Sequence, residues 1–254
     1  MIYPLIIHQI WWQGEKNISK LHNHYRKTWI KNHKNYKYIL WDKIKFESLL
    51  EKLNDKFFNS LYLNLPYMIQ KIDLCKYIIL YIYGGIYVDI DTISEKPLNN
   101  LIKKYNSNLI VSFITVYKNL NYKLINNGII VSTKKNKFFL YLLEEVKKNI
   151  YPKFFYNRDI FILNSTGPIL FTDTIRKYLY YSDDIKILDN LYFENNDLGM
   201  IRNKGLYITH RHDSSWMSPL FKSYIIIINS HFLQFIIIII LSVYTISNIY
   251  IKNI

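Results

Sequence analysis

The sequence predicts an α/β domain on a mostly parallel sheet. Short apolar runs alternate with segments of helical periodicity over most of the chain. Half of the 254 residues are hydrophobic and 17% aromatic, which excludes intrinsic disorder for most of the length and supplies a real core. No internal repeat and no Gly/Ser/Pro-rich linker divides it. Leu5 to Trp11 is an apolar run suited to a buried strand, Asn23 to His33 reads as a helix, and Tyr36 to Trp41 as a strand ending at Asp42. Phe46 to Leu53 is helical. Pro66 opens a longer helix in which Ile69, Ile72, Lys76/Tyr77, Leu80 and Tyr83 recur at i, i+3, i+4 spacing, and Gly84-Gly85 stops it. Alternation makes Ile86 to Ile90 a strand. Further strands are expected at 109–114, 128–132, 185–188 and 206–209, and helices at 137–148 and 168–179.

Charge excludes less than it first suggests. The formal balance is +14, but Ile, Lys, Asn and Tyr make up nearly half the chain and alanine is absent, the mark of an A/T-rich coding background. No run of five Lys or Arg occurs, so nothing concentrates the charge for a nucleic-acid partner. The single cysteine, Cys75, precludes an internal disulfide framework or thiolate zinc cluster. The first residues lack the basic and apolar segments of a signal peptide. Between Lys222 and Lys252, 29 residues carry no Asp, Glu, Lys or Arg, more than the ~20 needed to span a bilayer. The expectation is a domain over 1–221 and a C-terminal membrane anchor over 222–254, with a helix at about 231–251.

The strongest constellation is Gly84-Gly85-Ile86-Tyr87-Val88-Asp89-Ile90-Asp91. On a strand, Asp89 and Asp91 share a face ~6–7 Å apart. Such a pair of carboxylates suits a hard divalent ion, Mg²⁺ or Mn²⁺, able to bridge to a diphosphate. The glycines end a helix sharply and could admit a ligand close to the backbone. On the preceding helix Asp73 and Lys76 share a face, either as a surface ion pair or aimed at the Asp89–Asp91 end to bind sugar hydroxyls and phosphate. A second cluster, from Tyr207 to Trp216, holds His210 and His212 beside Asp213; its histidines could ligate a metal, and Trp216 could instead anchor the chain at a membrane interface. Asn126-Asn127-Gly128 and Ser165-Thr166-Gly167-Pro168 are small polar turns. On these residues alone a metal-dependent phosphoesterase or nuclease, and a non-enzymatic membrane protein, stay open beside a transferase.

The combination resembles glycosyltransferase family 32, which includes fungal initiating mannosyltransferases and inositol-phosphorylceramide mannosyltransferases. Ile6-Ile7-His8-Gln9-Ile10-Trp11 is similar to the family's first nucleotide-side strand. Asp73, Leu80, Tyr83, Gly84, Gly85, Tyr87, Asp89 and Asp91 fit its Asp-x-x-Arg…Leu-x-x-x-Gly-Gly-x-Tyr-x-Asp-x-Asp signature. Asn127-Gly128, Thr166-Gly167-Pro168 and His210…Ser215-Trp216 continue it over roughly residues 4–217. Lys76 stands where the family usually has Arg, keeping the charge but losing the bidentate fork, and Ile72 where a small residue is usual.

The resemblance implies a GT-A fold and a retaining, metal-dependent transfer of a hexose such as mannose from a GDP- or UDP-sugar to a glycan or lipid. It implies that Asp91, Asp89 and His210 hold Mn²⁺ or Mg²⁺, with Asp89 also on the ribose or sugar side. Asp73 and Lys76 would hold donor-sugar hydroxyls, while Ser215 and Trp216 close over the diphosphate. His8, Gln9 and Trp11 would flank the nucleotide; Gly84, Gly85, Tyr87, Asn127, Gly128, Thr166 and Gly167 would complete the donor site. Resembling enzymes work on Golgi or ER-type membranes, and the expected partners are a sugar nucleotide, a glycan or glycolipid acceptor and, through the tail, a membrane.

Overall fold

The computed structural model describes residues 3–114, 123–153, 156–193, 204–229 and 238–243. In chain order the elements are β1 (Ile6–Ile10), α1 (Lys20–Asn32), β2 (Lys37–Trp41), α2 (Lys43–Leu53), α3 (Lys56–Asn64) and α4 (Met68–Tyr83). Then come β3 (Gly85–Val88), β4 (Thr92–Ser94), α5 (Asn99–Tyr105), β5 (Leu109–Ser112), β6 (Ile129–Ser132) and α6 (Lys137–Lys148). The chain continues through α7 (Arg158–Ser165), α8 (Pro168–Tyr178), β7 (Ile185–Leu188), β8 (Ile208–His210) and α9 (Pro219–Asn229).

Capping side chains set several starts. Ser19 and Asp42 each accept a backbone N–H of the first turn, so α1 and α2 begin about a turn before their apolar periodicity does. Asp55 and Asn157 do the same for α3 and α7, two short helices that periodicity does not reveal.

The six-stranded sheet runs β2-β1-β3-β6-β5-β7. It is mostly parallel, as predicted, with one reversed strand: β6 lies antiparallel to both β3 and β5, while β1–β2, β1–β3 and β5–β7 are parallel, so the other five strands point the same way. Hydrophobic periodicity reports which face a residue lines and carries no record of strand direction, so the reversal of β6 is not legible in it. Period-two alternation sorts the core. Ile7, Ile86, Val88, Ile110, Ile129 and Val131 pack with Trp29 of α1 and Leu101 of α5 on one face. Tyr87, Leu109, Val111 and Ile130 meet α4, α6 and α8 on the other. Each fully buried side chain of this size contributes roughly 1.5–3 kcal/mol.

Gly84 and Gly85 make the change from α4 to β3 possible. Their φ angles are 65° and 97°, and a Cβ would come within 2.5 Å of Lys134 N at Gly84 and 2.6 Å of Ile6 O at Gly85. The space beside them is filled by neighbouring backbone, so their evident work is to let strands approach.

A two-stranded antiparallel ribbon, β4–β8, lies beside the sheet. Ser218 starts α9 by accepting Phe221 N–H at 3.3 Å, and the helix runs across the boundary expected at 221–222. Its 11 residues span only about 16 Å. Among the described residues no helix is long and apolar enough to cross a membrane. The expected anchor helix at 231–251 is therefore unsupported; apart from the helical residues 238–243 it lies outside the described residues.

Candidate active site

Three parallel strands deliver their carboxyl ends to one edge of the sheet, the usual place for a ligand in an open α/β fold. There β3 stops at Val88 and the chain turns: Asp89 O accepts Thr92 N–H at 3.2 Å and Thr92 Oγ1 at 2.6 Å. Asp89 and Asp91 thus lie in a turn after the strand, and not on the strand face predicted for them. The turn leads into β4, whose register pairs Thr92 with His210 of β8. The result is a group in which one ligand atom each from Asp89, Asp91 and His210 lies within 4.8 Å of the others.

His210 Nε2 is 3.3 Å from Asp91 Oδ1 and 4.0 Å from Asp89 Oδ2. The Asn126 amide meets Nδ1 at 3.1 Å, so Nε2 is the nitrogen turned to the carboxylates. Burial pushes the Asp91 carboxyl up, but His210 and the Asp213 N–H, 2.9 Å from Oδ2, outweigh it and hold Asp91 below the usual carboxylate range.

The pair on α4 is buried, 5% exposed at Asp73 and 3% at Lys76, and so is no surface ion pair. Lys76 Nζ lies 2.9 Å from Asp73 Oδ1 and 3.6 Å from Asp89 Oδ1, donates to Asn127 O at 3.3 Å, and sits 5.0 Å above the Tyr87 ring. Burial works against the ammonium, yet Asp73 and Asp89 together raise its pKa above the ordinary lysine value. Asp73 also accepts Thr166 Oγ1 at 2.9 Å and Asn127 Nδ2 at 3.3 Å, and Tyr87 donates its hydroxyl to Asp89 Oδ1 at 2.7 Å. One network therefore joins Asp73, Lys76, Tyr87, Asp89, Asn127 and Thr166. Tyr77, which links Asn127 to Thr166 O, is a member that the sequence showed only as a core position on α4.

Gly128 sits where nothing larger fits. Its N–H donates to Asn126 Oδ1 at 2.6 Å, and a Cβ would overlap Asp89 Oδ2. Gly128→Ala is expected to displace the Asp89 carboxylate and lower turnover about 10²-fold, the scale of an ångström-sized misplacement. Parallel measurement of kcat/KM and thermal melting checks this: the melt should move far less than the rate.

Other predicted site residues lie differently. Gln9 is close by, donating to Asp89 O at 3.1 Å and accepting Tyr38 OH at 2.5 Å. Trp11 is half-buried against the His22 ring at 5.2 Å. Ser215 is exposed and Trp216 half-buried on the loop after His210, where Trp216 O accepts Arg158 Nη1 at 2.9 Å. Gly167 is the N-cap of α8, packed against Leu163.

His8 points away from the group. It is fully buried, accepts Trp41 Nε1–H on Nδ1 and donates Nε2–H to Gly84 O, both at 3.0 Å. Burial lowers its pKa to about 4. Between about pH 6.5 and 4 the unfolded chain therefore binds a proton that the native state refuses, so stability falls as pH falls. His8 alone accounts for about 3 kcal/mol across that window; buried His33 shifts in the same direction. Denaturant midpoints measured against pH should show a shallower slope in His8→Gln.

Solved structures share this architecture. The PaToxG glycosyltransferase superposes with a TM-score of 0.54 at 20% identity, covering 70% of each chain. The ligand-free glycosyltransferase domain from the YGT toxin gives 0.52 at 10% identity, over 73% of this chain and 80% of that one. The shared fold is a GT-A-like architecture. Residues 19–108 match the family described as a glycosyltransferase sugar-binding region containing a DXD motif. An uncharacterized glycosyltransferase of Acanthamoeba polyphaga mimivirus is 32% identical over 92% of this chain and 91% of its own length. The chain belongs to this DXD family of glycosyltransferases.

The mannosyl phosphorylinositol ceramide synthase SUR1 of Saccharomyces cerevisiae is 27% identical over 76% of this chain and 48% of its own. The initiation-specific alpha-1,6-mannosyltransferase of Candida albicans is 35% identical over 43% of this chain and 29% of its own. The chain spans about half of the first fungal protein and less of the second.

Proposed function

We propose that the chain transfers a hexose from a GDP- or UDP-sugar to a hydroxyl of a glycan or glycolipid, with Mn²⁺ or Mg²⁺ held by Asp89, Asp91 and His210. The observation that carries this reading is the junction of that group with the buried Asp73–Lys76 pair. Two carboxylates and an imidazole fit a hard-to-borderline divalent ion, and the backbone at Gly128 leaves Asp89 room to take part. When bound, the ion supplies positive charge against a departing diphosphate.

The remaining work falls to the chain. Asp73, ordered by Thr166, Asn127 and Lys76, is placed to accept donor-sugar hydroxyls. Lys76 keeps its charge beside Asp89 and offers N–H donors to phosphate or sugar oxygens. Ser215 and Trp216, on the loop leaving His210, would cover the diphosphate, and Gln9 and Trp11 would border the nucleotide. No protein base is assigned: the departing phosphate takes the acceptor's proton as the acceptor attacks on the leaving group's face, which retains the anomeric configuration. Catalysis is then orientation and electrostatics.

Mannose is the sugar in the names of both fungal relatives, which makes GDP-mannose the first donor to test. The uncharged stretch 223–251 supports, on sequence alone, attachment to an endomembrane; carbonate extraction releasing the full chain would contradict it. The test of function is full-length protein in detergent with Mn²⁺, glycolipid and oligosaccharide acceptors, and a panel of sugar nucleotides. Hydrolysis or transfer with one donor class is expected, and no turnover with any donor would sink the reading.

A further inference from the structure

The loop from 211 to 218 leaves His210 and is fastened at both ends. At its far end Trp216 O accepts Arg158 Nη1 at 2.9 Å, and the Ser218 hydroxyl donates to buried Asp159 Oδ2 at 2.5 Å. Nearer the metal-binding group the tie is Asp213. Its backbone N–H donates to Asp91 Oδ2 at 2.9 Å, while its carboxylate lies 2.9 Å from His22 Nε2 on α1, 191 residues earlier in the chain.

His22 is itself held. Its backbone N–H donates to Ser19 Oγ at 3.1 Å, and the same oxygen lies 3.0 Å from the ring Nδ1. With the hydroxyl donating to Nδ1, the ring presents Nε2–H to Asp213. Trp11 lies 5.2 Å from the ring on one side and Tyr25 meets it edge-on at 6.1 Å. Asp213 also sits between two non-glycine residues in the left-handed region, His212 at φ 50° and Ser214 at φ 46°. A loop with two such residues needs outside contacts to hold its shape, and strain of this kind gathers at functional sites.

We propose that His22 is a positioning residue for the metal-binding turn: through Asp213 it fixes the N–H that orients Asp91. The inference rests on the reading of Asp89, Asp91 and His210 as metal ligands, and it adds a residue outside every motif that marks the site. The contact one shell beyond a metal ligand sets its orientation, and its loss costs about 10–100-fold in metal affinity.

The test is Mn²⁺ affinity of the full-length chain, from the electron paramagnetic resonance signal of free Mn²⁺, together with thermal melting. His22→Ala is expected to bind Mn²⁺ at least about tenfold more weakly than wild type and to melt close to it, since the ring is partly solvent-exposed. His22→Gln, which can return an N–H near the Nε2 position, should recover part of the loss. Wild-type affinity in His22→Ala, or equal losses in both variants, would overturn the inference while leaving the metal site standing. No Mn²⁺ binding by the wild-type chain would overturn the metal site and this inference with it.

Discussion

Lys76→Met is expected to destabilise the fold by about 3–5 kcal/mol, the scale on which removing one member of a buried ion pair leaves the other uncompensated. The side chain is nearly isosteric, so the loss is electrostatic. Lys76 Nζ stands between Asp73 and Asp89, and without it a fully enclosed carboxylate faces a partly enclosed one with no cation. The Asn127 carbonyl loses its donor in the same step. One escape is for Asp73 to take up a proton, which burial already favours and which the Thr166 hydroxyl and Asn127 amide tolerate poorly as donors. Urea midpoints at pH 7 should fall accordingly and recover in part as the pH is lowered. Lys76→Arg, which restores the residue usual at this position, keeps the charge and should keep the fold. A Met variant as stable as wild type would mean that the pair is a passenger.

Much of the fold could be read from the residues because the same signals that build it are local. The i, i+3, i+4 pattern of α4 runs to a double glycine whose positive φ angles stop the helix, and the chain re-enters as β3. α6 and β7 fall where periodicity and alternation put them. What escaped was set elsewhere. The antiparallel run of β6 is decided by pairing across the sheet, and the three-residue β4 exists only because β8 returns to it. α7 depends on the Asn157 cap, yet it matters to the site, since its first residues hold Trp216 and Ser218 and Thr166 just after it holds Asp73.

The site was legible in the same uneven way. Gly-Gly-x-Tyr-x-Asp-x-Asp marked Asp89 and Asp91, but a strand reading put them side by side on one face, whereas a turn brings them around His210. His8 was drawn in by its neighbours in the motif; alternation along β1 sends it to the face opposite Gln9, against Trp41. His22 carries no signal of its own, because its partner Asp213 lies at the other end of the chain.

Asp91 carries the largest expected effect on activity. It is the carboxylate closest to His210, and His210 together with the Asp213 N–H holds its pKa below the usual carboxylate range. Removing it deletes a metal ligand and its share of the charge set against the leaving diphosphate. That is several kcal/mol of transition-state stabilisation, or about 10³-fold or more in rate. The fold should be little affected, since Asp91 lies in a turn at the sheet edge and outside both core clusters.

The decisive measurement is Mn²⁺-dependent sugar-nucleotide turnover by full-length wild type and Asp91→Ala, side by side and at equal folded concentration. Turnover by the wild type that chelation abolishes, with a fall of about 10³-fold or more in the variant, is the predicted result. Equal turnover by the two chains would contradict it.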